Sequence, residues 1–496
     1  MNILRSWIPL IALLATGVAW AADRPVPVHY EQASLLEDLA ILEQAYEALH
    51  PGLYRYNTPA SMRRHFTTLR KNLDGPRSLP ETYLALSRFA ATIRCGHTYP
   101  NFYNQPRAIQ QALFERDDRV PFRFRWLGGR MIVTEDVSGN AALRPGTEVL
   151  AIDSVPTQDL FTRMLPMARA DGGNDAKRRS QLEMQGTEKY EPFDVYLSLL
   201  LPSTGASRRY RVRSPGGARA IDVALPSLTY SARLSQRRVP DEKGDAPAWT
   251  LDLSDPALAV LRMPSWALCD SQWDWKQFLQ RSFEQLQQAN TPALVIDLRG
   301  NEGGLDVGDV LLAHLLATSR TFPEYRRLVR YRSVPPALVP YLDTWDPSFK
   351  DWGDAAQPFD ARFYALRRDG DTDDNLIVPS APRYQGRVFV LLGAVNSSAT
   401  FEFAARAKRA GVATLVGQAT GGNRRGINGG AFFFLRLPNT GLEMDLPLIG
   451  QFAAGAEPDS GLEPDVHVAA TLADIASGRD IELEAVRRAL AQPRRR

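Results

Sequence analysis

Leu294-Val295-Ile296-Asp297-Leu298-Arg299-Gly300-Asn301-Glu302-Gly303-Gly304 is an apolar, β-rich run that empties into a glycine turn. A short run without polar alternation reads as a strand covered on both faces, as strands of parallel sheets are. Similar runs occur at Ala257–Leu261, Val388–Leu392 and Ala413–Val416, with helical patterns at about 272–288, 305–317 and 399–410 between them. Alternation of strand and helix predicts right-handed βαβ crossovers and a mainly parallel sheet, hence an α/β core over 247–496. A Pro- and aromatic-rich insertion at about 320–382 exceeds an ordinary connection and predicts a lid, a substrate wall or a flap.

Upstream, the pattern changes twice. Residues 22–117 read as helical: Leu35, Leu36, Leu39, Leu42, Ala45, Tyr46 and Leu49 recur on one helix face, and His50-Pro51-Gly52 ends it. Ser78 and Glu81 form a capping box with Pro80 in the first turn, and Cys95-Gly96-His97-Thr98 is the loop that follows. From 118 to 246 short alternating runs bounded by Gly128-Gly129 and Gly139-Asn140 predict hairpins. The stretch Leu143–Asp153, with a turn at Gly146, resembles the heart of a PDZ domain, which would bind substrate by strand addition around Gly146. At the start, Arg5, the apolar run Trp7–Ala19 and Ala19-Trp20-Ala21 predict a cleaved signal peptide over 1–21 and a periplasmic or secreted protein.

The chain has 496 residues, so several domains are expected. Its 59 Lys+Arg against 56 Asp+Glu leave almost no net charge, and no basic run interleaves with aromatics, so no nucleic-acid partner is implied. No later segment is apolar enough to span a membrane once the signal is removed. No cofactor or metal is implied either, because the six His lack ligand spacing, and Asp369–Asp374 reads as a solvated acidic turn. Cys95 and Cys269 read as a disulfide or as two independent thiols.

Ligands bind at the carboxyl ends of parallel strands, which points to two loops. One is the Gly303-Gly304 turn. The other is Gly393-Ala394-Val395-Asn396-Ser397-Ser398-Ala399-Thr400, where a serine at a strand-to-helix junction would lie beside helix N-terminal amides. That arrangement suits a nucleophile with an oxyanion hole; taken alone, it equally suits a helix cap.

Strand-Asp-Leu-Arg-x-Asn-x-Gly-Gly, then Ser398-Ala399-Thr400-Phe401-Glu402-Phe403-Ala404, then Val416-Gly417-x-x-Thr420-Gly421-Gly422 resembles the C-terminal processing (tail-specific) serine peptidases, with a tricorn-like core. The spacing of that family's serine from the Val-Gly segment, applied to Gly417, selects Ser398 over Ser397. The resemblance implies a peptide substrate and an oxyanion hole from the amides of Ala399 and Gly303, with Gly304 the alternative to Gly303 and a further substrate contact. It departs where processing proteases carry their lysine base, because that position is Asn423, which cannot take a proton. Tricorn-like members use a histidine instead, and Gly96-His97-Thr98 resembles their segment, making His97 the implied base. Their acid falls on Pro458, leaving Asp459 or Glu457 as the third member. The departures also keep open a non-catalytic peptide- or ligand-binding protein on this fold, or an esterase.

Overall fold

The structure, a computed structural model, describes residues 26–203, 205–238, 249–269, 271–322, 325–367 and 375–491. The signal-peptide reading and the acidic turn at 369–374 fall outside these residues.

The strand Ala293–Asp297 is buried throughout and is the centre of a six-stranded sheet. The order runs Val466–His467, Thr414–Gly417, Arg387–Leu392, Ala293–Asp297, Ala259–Arg262, Thr250–Asp252, and all but the last pair are parallel. Alternation explains the two-sided burial. Leu294 and Ile296 pack on the face that carries the helices Trp275–Ala289, Val307–Leu315 and Ser398–Ala410, while Ala293 and Val295 face the C-terminal helix Ile481–Leu490. Asp297 and Arg299 of the Asp-Leu-Arg motif tie the sheet to that helix. Arg299 pairs with Asp297 (2.7 Å) and with the helix N-cap Asp480 (2.9 Å).

Of the lid, substrate wall or flap expected of the insertion, the described residues form a sheet-built wall. Its strands Arg326–Val329, Leu342–Asp343, Ala356–Pro358 and Tyr364–Leu366 join the long hairpin Asn428–Arg436/Glu443–Phe452 in a second six-stranded antiparallel sheet. Val329, Leu342, Leu366 and the hairpin's Phe433, Leu446 and Leu448 share one apolar core with the N-terminal helices. The insertion is therefore a structural wall with its own buried face.

That second sheet anchors the helical region. The helix Gln32–Leu49 presents Leu35, Leu39, Leu42, Tyr46 and Leu49 to the core, while Leu36 is exposed. Its buried Asp38 accepts the Thr440 hydroxyl (2.7 Å) and the Asn439 and Thr440 amides (2.9 Å each) at the hairpin turn. The helix Leu79–Thr92 starts at the Ser78/Glu81 capping box. Helices at Pro59–Asn72 and Arg107–Leu113 complete the region. The loop after Thr92 is thus carried onto the hairpin, where Asn101 and Asn104 both donate to Asp445.

Between these bodies lies a third sheet, antiparallel, with Phe122–Leu127, Arg130–Asp136, Glu148–Ile152, Ser207–Arg213 and Ala220–Pro226 in consecutive order. Gly146 turns into its third strand with φ +85°, and its amide bonds to the Val133 carbonyl. A methyl on Gly146 would lie 2.7 Å from Ala476 Cβ. This turn is filled by the helix Leu472–Ser477, which corrects the reading of Gly146 as a substrate contact. Cys95 is buried and Cys269 exposed, and no disulfide joins them. No helix among the described residues is long and apolar enough to cross a membrane.

Candidate active site

The strand Arg387–Leu392 hands over to the helix Ser398–Ala410 through Gly393–Ser397, and the two serines differ sharply there. Ser397 is the N-cap and is buried; its hydroxyl donates to the Glu302 carbonyl (3.2 Å) and accepts from Lys177 Nζ (3.3 Å). Ser398 has φ +52°, a left-handed conformation that costs a side-chain-bearing residue roughly 1–2 kcal/mol. Ser398 is half-buried, and its hydroxyl has no hydrogen-bond partner among the described residues. A strained serine with a free hydroxyl beside a helix N-terminus has the geometry of a nucleophile.

The glycine turn comes against this junction. Gly303 has φ +117°, and a methyl there would sit 2.9 Å from Ser398 Cβ and 3.0 Å from the Ala399 nitrogen. Only glycine lets the turn approach and leaves the Ala399 amide uncovered. The Gly303 amide itself donates to Asn301 Oδ1 (2.9 Å), so it does not face an oxyanion. The neighbouring bridge to Trp266 uses the Gly303 carbonyl and the Leu305 amide, leaving the Gly304 amide uncommitted.

Asn396, which the sequence reading passed over, locks the three loops together. Its side chain donates to the Leu298 (2.6 Å) and Asn301 (2.9 Å) carbonyls and accepts from the Gly393 amide, and its carbonyl accepts from Gly421 and Gly422. An amide side chain offers donors and acceptor together, which a hub between loops requires.

The larger omission is the segment 168–181, between the helices Thr157–Met164 and Pro192–Leu200. Lys177 reaches from it into the core, buried, with Glu302, the Val395 carbonyl (2.7 Å) and Ser397 around its Nζ. Arg169 bonds the Gly96 carbonyl (2.6 Å) and the other Glu302 oxygen (3.0 Å), and lies over the Tyr99 ring. Burial would push the Glu302 carboxyl up, but the two cations outweigh it and hold the group well below the usual range. Burial lowers the Lys177 ammonium and Arg169 adds to this, with Glu302 acting the other way; Nζ donates to three oxygens, the pattern of an ammonium. Lys177 is therefore a tether rather than a base. Lys177→Met should destabilise the fold by the low end of roughly 3–5 kcal/mol, because Glu302 keeps Arg169. Urea denaturation of the variant measures it.

His97 lies beside the hairpin strand that carries Gly429. A methyl on Gly429 would be 3.9 Å from its Cε1 and 4.0 Å from Nε2, and the Phe432 ring is 5.9 Å away. Gly429 and Ala399 line one cleft of about 1220 Å³, together with Phe401, Glu402, Gly430 and Glu457. Neither ring nitrogen of His97 has a hydrogen-bond partner among the described residues, and Nδ1 is buried. Below the loop, His50 bonds Thr98 Oγ1 (2.7 Å) through Nε2 and accepts the Gly52 amide at Nδ1.

Of the expected acids, Glu457 pairs with Arg424 (2.8 Å) at the cleft wall. Asp459 accepts from Asn423 Nδ2 (2.7 Å) and from the Gly173 amide (2.9 Å). The carboxylate beside the His97 loop is instead Asp171, whose Oδ1 accepts the Gly96 amide at 2.8 Å.

Fold and site together describe a mixed α/β protein with a serine presented at the carboxyl edge of a parallel sheet, the layout of a serine peptidase. Residues 257–468 match the family model for peptidase family S41. The chain's fold is similar to that of mature CPAF complexed with lactacystin, with a TM-score of 0.60 and 17% identity, covering 93% of this chain and 98% of that one. It is also similar to mature CPAF alone, with a TM-score of 0.57 and 17% identity over 92% and 96% of the two chains. No curated protein matches the chain.

Proposed function

We propose that the chain is an exported serine peptidase, periplasmic or secreted, that cleaves polypeptides with Ser398 as nucleophile and His97 as base. The observation that carries the reading is the contrast between the two serines: Ser397 is tied on both sides, while Ser398 is strained, free and placed beside the Ala399 amide.

In the reaction, His97 takes the Ser398 proton as Oγ attacks the scissile carbonyl. The oxyanion faces the amides of Ala399 and Gly304, the first in the opening helical turn where backbone N–H groups lack intrahelical partners. His97 then protonates the leaving amine, and water repeats the sequence on the acyl-enzyme. The missing Ser398–His97 bond in the free protein is ordinary, because such contacts tighten when substrate excludes water. The cleft between Ala399 and Gly429–Gly430 has the volume for an extended segment of substrate.

A fluorophosphonate probe with peptide mapping tests the nucleophile, and a peptide-library digest separates peptidase from esterase. Modification of Ser398 with peptide cleavage is expected. Modification of Ser397, or of neither serine, would overturn the assignment.

A further inference from the structure

We infer that Asp171 is the carboxylate that orients His97, and that Asp459 and Asn423 hold Asp171 in place rather than serving the histidine themselves. The inference rests on His97 being the base, and it makes Asp171 a positioning residue.

Two buried polar atoms lie here without partners among the described residues. Asp171 is only 2% exposed; with Oδ1 engaged by the Gly96 amide, its Oδ2 is buried without a hydrogen-bond partner among the described residues. One residue along the chain from Gly96, Nδ1 of His97 is buried and equally unpartnered. Leaving such groups unmatched costs about 1–3 kcal/mol each. They are chemically complementary: a neutral imidazole protonated at Nδ1 donates, and a carboxylate oxygen accepts, directly or through one water. The carboxylate lies across Gly96, where a methyl would come within 2.7 Å of Oδ2, so the Gly-His pair is what lets the acid reach the loop.

The other charges around His97 are already engaged. From the same segment as Asp171 come Arg169, bound to the Gly96 carbonyl and Glu302, and Lys177, bound to Glu302 and the Val395 carbonyl. From the glycine turn comes Glu302, both of whose oxygens are taken by those cations. The hairpin side brings Gly429 and the Phe432 ring, which carry no charge. Asp171 is the facing carboxylate that retains an open oxygen. Burial lowers the imidazole from its ordinary value, and Asp171 is the strongest of the charges acting in the opposite direction.

Asp459 has a different task. It accepts the Gly173 amide, and a methyl on Gly172 would lie 2.0 Å from its Oδ1, so it seats the turn that directly follows Asp171. Asn423 Nδ2 donates both to Asp459 and to the Asp171 carbonyl (3.2 Å). Asn423 is fully buried, so the site is built around its short side chain rather than a longer lysine chain. The absent lysine base and the relocated acid are therefore one rearrangement: the position is used to brace the residue that steers the histidine.

The test reads His97 directly by NMR of isotope-labelled histidine in the Ser398→Ala protein, its signals assigned by difference with His97→Gln. At high pH the neutral ring should be the Nδ1–H tautomer; an Nε2–H tautomer overturns the inference without any change at position 171. Asp171→Asn keeps an oxygen for the Gly96 amide and removes the charge, and should move the His97 titration to lower pH. Asp459→Asn should leave it in place. In the active enzyme Asp171→Asn should lower kcat by about a hundredfold or more with KM little changed, and Asp171→Glu should recover part of the loss. An unmoved titration in folded Asp171→Asn protein, or an equal shift in Asp459→Asn, overturns the inference. Because the titration uses a protein that cannot hydrolyse, its failure is distinct from a failure to label Ser398.

Discussion

Ser398→Ala should eliminate hydrolysis, by at least about a thousandfold, while Ser397→Ala keeps most of it. Adjacent serines make this a test of register, and the structure assigns them opposite physical states. Removing the Ser397 hydroxyl deletes its bond to the Glu302 carbonyl and one of three acceptors around Lys177, a net loss of about 1 kcal/mol in stability. Removing the Ser398 hydroxyl deletes no bond among the described residues. The expected pattern is therefore crossed: the Ser397 variant is less stable and active, and the Ser398 variant is stable and inactive. Initial rates on a cleaved peptide, with urea midpoints for both proteins, check it. Equal loss of activity in two folded variants would defeat the register.

The parallel core was legible because its signal is local. Ala293–Asp297 has no polar alternation, glycines follow it, and helical periodicity comes next at about 305–317, so propensity, burial and topology agree. The preference for Ser398 over Ser397 came from the resemblance and its spacing to Gly417, and the contrast in bonding between the two serines supports it. What escaped depends on residues that become neighbours only after folding. Lys177 and Arg169 sit in a stretch that looks irregular, and nothing near them in sequence announces Glu302, more than a hundred residues away. Asn396 reads as a turn residue until three loops converge on it. The oxyanion reading failed at Gly303 because Asn301, two residues upstream, takes its amide. The insertion, Pro- and aromatic-rich and too long for a connection, left lid, wall and flap open; its strands Arg326–Val329 and Leu342–Asp343 find their partners in a hairpin more than ninety residues downstream. Asp459 and Glu457 were reasonable acids by position, but the one is engaged by the Gly172–Gly173 turn and Asn423, and the other by Arg424.

His97→Ala should reduce turnover by several orders of magnitude and remove the acidic limb of the pH–rate profile. A base works only while unprotonated, so activity is present above the imidazole's pKa and is lost as pH falls through it. Burial lowers that pKa from the ordinary 6.5, with Asp171 acting against burial and Arg169 with it. The limb in kcat/KM should therefore lie below pH 6.5, and Asp171→Asn should carry it lower still. A lysine base would give the opposite picture, with activity rising only toward the alkaline side unless burial lowered the amine far enough. The structure supplies a direct comparison, since Lys177 is a buried lysine within 3.3 Å of a serine hydroxyl. Three oxygens hold it as an ammonium, so Lys177→Met should cost stability first and leave the position of the acidic limb where it was. Profiles of kcat/KM for the parent, His97→Ala and Lys177→Met proteins, each measured below its unfolding temperature, separate the two chemistries. A His97→Ala enzyme with its acidic limb intact would remove the histidine from the mechanism, and a limb that follows the lysine substitution would put Lys177 and Ser397 in its place.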